Sequence, residues 1–193
     1  MRRTLRSPIP EETLASLRAS EQVLLSGVIY TARDAAHARL CAALDAGEPL
    51  PVELRGQTVF YAGPTPAPPG KPVGSIGPTT SVRMDPYTPP LLACGLRAII
   101  GKGDRSEAVV EALRENGAVY FTAIGGCAAY MARCVESREV VCYDDLGAES
   151  VKRLVVRDMP LTVAIDAQGG NAYAQAVDRY HALFPACDEH IHE

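Results

Sequence analysis

The sequence predicts an α/β fold, and three observations support that prediction. Short apolar runs typical of buried strands recur along the chain, and stretches with helical periodicity separate most of them. The length of 193 residues suits one sizeable domain, and 47% hydrophobic and 22% charged residues are ordinary for a globular protein. Lys102 stands just past one apolar run, where open α/β sheets collect ligands. We therefore expect residues 1–193 to form a single domain.

Composition excludes several classes of function. The formal net charge of -4 argues against a nucleic-acid groove or a membrane-binding patch as the main function. No apolar run approaches the length of a transmembrane helix. Residues 1–20 mix arginines with glutamates and lack the continuous apolar core of a signal peptide. We expect a cytoplasmic protein that binds neither nucleic acid nor membranes.

The first part of the chain alternates strands and helices. Residues 1–20 start as a strand, and a Pro-Glu-Glu sequence then marks a short helix, because acidic side chains suit the first turn. The apolar run over 23–30 predicts the next strand. A helix over 32–47 follows, with small and apolar residues at helical spacing. Residues 58–62 predict another strand, and the Pro-rich stretch 63–72 predicts a long, stiff loop.

Arg33 and His37 lie one turn apart near the start of the second predicted helix, so they share a face. A cation is mildly unfavourable beside a helix N-terminus, by roughly 0.3–1 kcal/mol. Its presence there favours a bound anion. The alternative that the spacing leaves open is a solvated first turn without a ligand.

Residues 77–103 combine several signals of an anion site. Thr79, Thr80 and Ser81 follow a proline, which predicts a helix start with free N–H groups and hydroxyls. Arg83 comes four residues after Thr79 and falls on the same helical face. N–H groups, hydroxyls and a guanidinium would then converge on a carboxylate or a phosphate.

A second short helix and a strand complete this stretch. A proline soon ends the first helix, and Thr88 is the expected N-cap of the second, which stops at Gly95. Residues 96–100 are a short apolar run bounded by glycines, which predicts a buried strand. Lys102 follows that strand directly and is therefore placed as a site residue.

The remaining elements follow the same alternation. Asp104 and Glu107 have the spacing of a capping box, at the start of a helix that ends near Gly117. A Gly-Gly turn after the next strand lies either close to a ligand or packed tightly against the sheet. The expected elements here are a strand over 118–124, a helix after 126, strands over 140–143, 151–156 and 161–165, and a helix over 171–184.

Six cysteines are spaced too widely for a local metal site. No C-x-x-C sequence occurs, and we expect free thiols that pack as small hydrophobic groups in a reducing compartment. His190 and His192 in the C-terminal tail offer a metal-binding pair. The short terminal position of that tail instead favours a mobile or partner-facing segment.

The candidate residues have complementary chemistry. Arg33, Arg83 and Lys102 supply three cations, which a small dicarboxylate would occupy naturally. The threonine hydroxyls and His37 are candidates for proton transfer or orientation. The chain shows neither an obvious electrophile nor a P-loop. The sequence therefore predicts half of an active site, with the other half on a partner.

Four ordered motifs carry a resemblance to a known family. GPTTSVRMD, followed by AIIGKGD, resembles the signature of the β subunit, or C-terminal domain, of class I fumarate hydratases. These iron–sulfur hydro-lyases also include L(+)-tartrate dehydratase. Stretches at 30–40 (YTARDAAHARL), 120–126 (YFTAIGG) and 144–171 (DDLGAESVKRLVVRDMPLTVAIDAQGGN) agree with the same family. The resemblance covers nearly the whole chain in the right order.

The resemblance implies roles for individual residues. It implies that Thr79 takes part in proton transfer at the substrate carbon, and that Asp34 and His37 support or orient the catalytic groups. It also implies that the substrate is bound by Arg33, Arg83, Lys102 and Thr80.

The resemblance also implies a fold, a cofactor and a partner. The fold would be a swivelling β/β/α domain of the Fe-S hydro-lyase β-subunit type. A separate α subunit would hold a [4Fe-4S] cluster through three cysteines, so this chain would not ligate it, and an α2β2 assembly would hydrate fumarate reversibly to malate. Two alternatives stay open: an L(+)-tartrate dehydratase β subunit, and a non-catalytic anion-binding module.

Overall fold

The strands form one sheet that closes on itself. The computed structural model describes residues 2–183. In these residues the strands are β1 (Arg3–Ser7), β2 (Gln22–Thr31), β3 (Thr58–Phe60), β4 (Ala98–Gly101), β5 (Val119–Thr122), β6 (Val135–Cys142) and β7 (Val151–Ile165). Their order is β1-β2-β3-β4-β5-β7-β6, and an additional pairing of β2 with β7 closes a barrel-like ring. The predicted α/β class is confirmed as a mixed α/β architecture.

The helices connect and cover this ring. They are α1 (Glu11–Ser16), α2 (Asp34–Asp45), α3 (Thr88–Ala93), α4 (Glu107–Glu115), α5 (Ala128–Arg133) and α6 (Ala172–Leu183). A 3₁₀ helix over Ser81–Tyr87, called the site helix below, precedes α3, and 3₁₀ turns span Asp144–Glu149. None of the helices within residues 2–183 has the length and apolar character needed to cross a membrane.

The parallel strands create the edge on which the site lies. Neighbouring strands from β1 to β5 pair in parallel, whereas β7 runs antiparallel to β2, β5 and β6. The carboxyl ends of β2, β3, β4 and β5 therefore meet at one edge, and the chain segments that leave these strands lie next to each other.

Two hydrophobic clusters lie on opposite faces of the sheet. Side chains alternate along β4, so that Ile100 joins one cluster while Ile99 joins the other. The first cluster also contains Phe60 and Phe121 from the flanking strands. The second packs the sheet against α2, α3 and α4 through residues such as Leu40. Burial on both faces explains why these strands appear in the sequence as short, continuous apolar runs.

Three predicted local features differ from the structure. The runs 151–156 and 161–165 belong to one strand, β7, which continues through a left-handed residue, Asp158 (φ 49°). The strand predicted over 140–143 is longer and begins at Val135. Its first half carries exposed charged residues, which an edge strand tolerates but which the apolar pattern does not indicate as a strand. The predicted capping box is wrong: Ser106 is the N-cap of α4 and makes no side-chain cap, and Asp104 accepts the N–H of Arg105.

Candidate functional site

The carboxyl edge of the sheet brings the predicted site residues together. Arg33 comes just after β2, and Lys102 comes directly after β4. Thr79 is fixed at the end of β3, because its N–H donates to the carbonyl of Tyr61 at 2.8 Å. Thr80 pairs with Lys102 in an isolated parallel bridge. Residues that are far apart in sequence therefore lie along one edge.

Asp34 joins two of the predicted cations. Arg83 Nε lies 3.0 Å from Asp34 Oδ1, and Nη2 donates to Oδ2 at 3.3 Å. Arg33 Nη2 lies 3.7 Å from the same Oδ2. Arg83 Nη2 also donates to the hydroxyl of Thr79. We call these four residues, Arg33, Asp34, Thr79 and Arg83, the cation cluster.

Arg33 is held between a carboxylate and a glycine. It is the N-cap of α2, and its Nη2 lies 3.4 Å from Glu149 Oε1. The other oxygen of Glu149 accepts the N–H of Ala35 at 3.1 Å, so Glu149 caps α2 from a distant part of the chain. A Cβ at Gly63 would lie 3.2 Å from Arg33 Cδ and 2.8 Å from the carbonyl oxygen of Ala148. The lack of a side chain at Gly63 therefore leaves room for Arg33.

His37 lies behind the cluster and out of contact with solvent. The side chain is buried, and its Nδ1 lies 2.8 Å from the carbonyl oxygen of Arg33. This carbonyl can only accept, so Nδ1 carries the proton and Nε2 does not. Burial lowers the pKa of His37 to about 4, and the ring is therefore neutral at pH 7. In this position His37 can orient Arg33, whereas direct contact with a ligand at the edge is blocked.

Lys102 approaches the edge from the other side. Its backbone N–H donates to Ser81 Oγ at 3.0 Å, and its carbonyl accepts the N–H of Ser81 at 3.0 Å. Its side chain lies over Gly125, where an added Cβ would be 3.8 Å from Nζ. Among residues 2–183, no carboxylate oxygen lies within 4.0 Å of Nζ. The ammonium group is therefore available to an anionic ligand.

The helix that the sequence predicts to start near Thr79 has a different start in the structure. The helix begins at Ser81, not at Thr79, and it is a 3₁₀ helix. The N–H groups of Thr79 and Ser81 are not free, since the carbonyls of Tyr61 and Lys102 accept them. These two N–H groups are therefore not available to an anion, and the groups that this edge can offer to one are its side-chain cations. Thr88, the predicted N-cap of α3, is instead its first residue and donates its hydroxyl to the carbonyl of Met84.

Sequence reasoning missed three residues that shape the candidate site: Glu149, Asp85 and Arg105. It marked Ser81 only as part of a helix start, and the folded chain brings Glu149 to Arg33 and Ser81 to Lys102. Asp85 and Arg105 form a buried ion pair beneath the edge. Charge alone predicts a surface position for an arginine in a loop, so no local signal marks Arg105 as buried.

The described cysteines have no metal-binding arrangement. Cys41, Cys94, Cys127, Cys134 and Cys142 are free, and of these only Cys134 is buried. Burial raises the thiol pKa of Cys41, Cys134 and Cys142. Within residues 2–183, no group of three His, Cys, Asp or Glu side chains could hold a metal ion. The predictions about His190 and His192 lie outside the described residues.

The edge is suited to a small anion with two carboxylates. Three cations and two carboxylates, Asp34 and Glu149, leave an excess of positive charge. Arg33 Nε is shielded from solvent and has no hydrogen-bond partner among residues 2–183, so Arg33 retains unmet donor capacity. Guanidinium groups can bind a carboxylate through two parallel hydrogen bonds, and Lys102 adds a point charge.

Comparison with known proteins shows to which family the chain belongs. The protein-family model described as Fumarase C-terminus matches residues 2–176. The chain belongs to this family. Its relatives include the anaerobic class I fumarate hydratase of Escherichia coli K12, which is 38% identical over 174 residues, and the mitochondrial fumarate hydratase 1 of Leishmania major, which is 39% identical over 176 residues. The resemblance predicted from the motifs is confirmed.

The relatives of this Fumarase C-terminus chain differ in length. The matches cover 88% and 89% of the chain but only 32% of each of the two fumarate hydratases. A protein of Methanocaldococcus jannaschii, provisionally named L(+)-tartrate dehydratase subunit beta, is 35% identical over 177 residues. That match covers 86% of the chain and 89% of the relative. The chain thus spans about a third of the length of these two fumarate hydratases and nearly all of a protein named as a subunit.

Proposed function

We propose that this chain is the β subunit of a hydro-lyase that hydrates fumarate reversibly to malate, and that it works with an α subunit. The observation that carries the proposal is the cation cluster with Lys102 on the same sheet edge. This arrangement would bind a small dicarboxylate, with the Thr79 hydroxyl next to it. Homologous class I fumarate hydratases support a lyase reaction, and the homologue named as a β subunit supports a partner chain.

The substrate would be held by the cations of this chain. In the proposal, Arg83 and Arg33 bind one carboxylate of the substrate and Lys102 binds the other, with Thr80 at the rim. Asp34 aligns both guanidinium groups, and Glu149 fixes Arg33 from behind. His37 holds the backbone of Arg33 from the interior.

The Thr79 hydroxyl is the proposed proton-transfer group. Its Oγ1 accepts a hydrogen bond from Arg83, and a cation that donates to an oxygen favours its deprotonated form. During dehydration the deprotonated Thr79 oxygen would remove a proton from the carbon next to a malate carboxylate, the C–O bond of the neighbouring carbon would break, and the leaving hydroxide would take the proton from Thr79 and depart as water. Hydration would run through the same steps in reverse, so that Thr79 gives the proton to a carbon of fumarate. A positioned group of this kind contributes typically about 10²–10⁴-fold to the rate.

The side chains on this edge do not fit an iron–sulfur cluster as ligands. They are cations, hydroxyls and carboxylates, whereas such clusters are held by thiolates. We propose that a [4Fe-4S] cluster belongs to the α subunit, where it would act as a Lewis acid on the substrate. We further propose that residues 1–193 form one swivelling β/β/α domain in a cytoplasmic α2β2 assembly.

L(+)-tartrate dehydration is the second candidate reaction. The relative whose length matches this chain carries that name, and tartrate is also a small dicarboxylate. The same cations and the same proton-transfer hydroxyl would serve either substrate. Residues of the α subunit would share in the choice of substrate, because half of the proposed site would lie there.

One experiment separates the candidates. The chain is co-expressed with an α-type chain from the same genome, and the complex is assayed anaerobically with fumarate, malate and L(+)-tartrate. We expect turnover of fumarate and malate with a higher kcat/KM than that of tartrate. A preference for tartrate would support the second candidate. Dicarboxylate binding without turnover of any substrate would indicate the non-catalytic anion-binding module.

A further inference from the structure

A buried ion pair connects the two segments that carry the site residues. The Arg105 side chain is fully buried, Asp85 is 9% exposed, and Arg105 Nε lies 2.7 Å from Asp85 Oδ1. The second oxygen of Asp85 accepts the N–H of Ser106 at 2.7 Å. Asp85 belongs to the site helix, two residues after Arg83, and Arg105 follows Lys102 by three residues. The pair therefore joins the segment that bears Arg83 to the segment that bears Lys102.

The hydroxyl of Thr88 extends this connection. Arg105 Nη2 donates to Thr88 Oγ1 at 2.8 Å, and Thr88 donates its own proton to the carbonyl of Met84 at 2.8 Å. The hydroxyl of Tyr61 lies 3.0 Å from the same oxygen and can only be the donor there. The hydroxyl of Thr88 thus makes one donated and two accepted hydrogen bonds. Its hydrogen-bonding capacity is fully used, which fixes the end of the site helix to Tyr61, the residue after β3, and to Arg105.

Aromatic rings enclose the guanidinium group. Arg105 Cζ lies 4.9 Å from the ring centre of Tyr120 and 5.4 Å from that of Tyr61. The hydroxyl of Tyr120 lies 2.9 Å from the carbonyl oxygen of Gly103 and 3.0 Å from Ser81 Oγ. Ser81 in turn exchanges hydrogen bonds with the backbone of Lys102. The network therefore contacts both ends of the site helix and the whole turn that follows β4.

We propose that Arg105 is a positioning residue that fixes the distance between the Thr79–Arg83 segment and Lys102. The role in catalysis rests on the proposed function; the positioning itself does not. Stability alone does not account for a charge in this position, since apolar residues of similar volume often replace a buried ion pair without loss. An ion pair, unlike an apolar contact, holds its partners at a defined distance and direction. That property is what two groups binding opposite ends of one substrate require.

The first test measures position without any substrate. In the full chain, Arg105→Met with Asp85→Leu replaces the pair by apolar side chains. Hydrogen exchange of peptides that contain Ser81 and Lys102 is followed by mass spectrometry. We expect the exchange of their amides to accelerate roughly 10-fold or more, while peptides from β2 keep their wild-type rates. Unchanged exchange at Ser81 and Lys102 in the folded variant would overturn the proposal.

Two further variants keep the test decisive. Thr88→Val keeps the shape of the side chain and removes only the shared hydroxyl, so it serves if the double variant does not fold. We expect it to accelerate the same amides several-fold. Arg97→Met is the matched control, because Arg97 is a half-buried arginine at the opposite end of β4. If Arg97→Met accelerated the exchange of the Ser81 and Lys102 amides equally, the role of Arg105 would be a general structural one, and the proposal would be overturned.

The second test uses the α–β complex. For the double variant we expect kcat/KM to fall about 100-fold, a loss that a misplacement of about 1 Å can cause. Both kcat and KM should change, because the two cations no longer fit one substrate, whereas Arg97→Met should change neither. A folded double variant with wild-type kcat and KM would overturn the proposal. If the wild-type complex turns over no dicarboxylate, the proposed function fails, and the exchange experiment still decides whether Arg105 positions the edge.

Discussion

At the scale of single residues, the site depends on which atoms the cations already use. Arg83 directs Nε and Nη2 at Asp34 and also donates to Thr79, so its planar group orients a carboxylate and a hydroxyl together. Lys102 has a different role, as a single charge without a carboxylate partner among residues 2–183. The distinction predicts that exchanging one type of cation for the other is not conservative.

Arg83→Lys tests that distinction. Lysine keeps the positive charge but cannot make the two-pronged contact that the planar guanidinium of Arg83 makes with Asp34. Because the Arg83 side chain is 47% exposed, we expect the fold to persist, with less than about 1 kcal/mol lost from the free energy of unfolding. We expect kcat/KM of the complex to fall roughly 10–100-fold. Near-normal kcat/KM would show that Arg83 is only a surface cation.

Thr79→Ala tests the proposed proton transfer. If the hydroxyl transfers the proton, kcat should fall about 10²–10⁴-fold with a smaller effect on substrate binding. Thr79→Ser keeps a hydroxyl and should recover much of the loss. Thr80→Ala is the adjacent comparison, because Thr80 is exposed and makes no hydrogen bond to Arg83 among the described contacts. An equal or larger loss of kcat in Thr80→Ala would show that the assignment of the proton transfer to Thr79 is wrong.

His37 predicts a pH dependence of stability. Burial lowers its pKa from the ordinary value of 6.5 to about 4, so the unfolded chain binds a proton that the folded chain does not. Stability from this residue is present above pH 6.5 and is lost as the pH falls towards 4. Between pH 7 and pH 5 we expect a loss of about 2 kcal/mol in the free energy of unfolding. Urea unfolding of the wild type and of His37→Gln measures it, and equal pH slopes in both would contradict the prediction.

At the scale of elements, apolar pattern predicted most strands but not their full extent. The short parallel strands β3, β4 and β5 are buried on both faces, so continuous apolar runs revealed them. The first half of the exposed edge strand β6 was not predicted, because its charged residues break the apolar pattern. The long strand β7 was predicted as two strands, because its exposed middle, Arg157 and Asp158, resembles a turn.

The sequence predicted the residues of the candidate site that local signals mark, but not the contacts between residues that are far apart in the chain. Arg33, Thr79, Arg83 and Lys102 stand next to helix starts and strand ends, which local signals mark. The pairing of Arg105 with Asp85 joins residues 20 apart, and Glu149 reaches Ala35 across 114 residues. Nothing in the local sequence specifies such contacts, because tertiary packing determines them. The same limit explains why His37 was a catalytic candidate in the sequence and is buried in the structure.

Gly101 shows how an element positions a site residue. It ends β4 directly before Lys102, and a Cβ there would collide with Ser81 Oγ and would lie 3.1 Å from both Cε2 and the hydroxyl oxygen of Tyr120. We expect Gly101→Ala to push the site helix away from β4, at a cost of about 1–3 kcal/mol in the free energy of unfolding. The kcat/KM of the complex should fall as well, since Lys102 moves with it.

The double variant Gly101→Ala/Ser81→Ala separates crowding from other causes. It removes the oxygen that collides with the new methyl group, and only the milder contacts with Tyr120 remain. We expect it to recover part of the stability that Gly101→Ala loses, as judged by chemical unfolding. No recovery would mean that the strand, and not the contact with Ser81, requires glycine at this position.

At the scale of the whole molecule, the chain supplies charged and hydroxyl side chains that suit the binding of a small anion. The edge of its sheet offers cations, a hydroxyl and orienting carboxylates. The chain matches about a third of the length of the fumarate hydratases of E. coli K12 and Leishmania major. In those relatives the remaining two thirds lie on the same polypeptide. The proposed division of labour, between a substrate-binding part and a part that would hold the cluster, would account for both the side chains on this edge and the length of the match.

Iron content tests this division of labour directly. We predict that the chain alone, reconstituted anaerobically with ferrous iron and sulfide, binds no stoichiometric iron and is inactive, whereas the complex with the α subunit contains about four irons per αβ unit. Cys127→Ser is the sharpest control, because Cys127 follows the Gly-Gly turn beside Lys102 and is only half-buried. If all cluster ligands belong to the α subunit, this variant keeps the iron content of the complex. Stoichiometric cluster on the isolated chain, or loss of iron from the Cys127→Ser complex, would place cluster ligands on this chain and contradict the division.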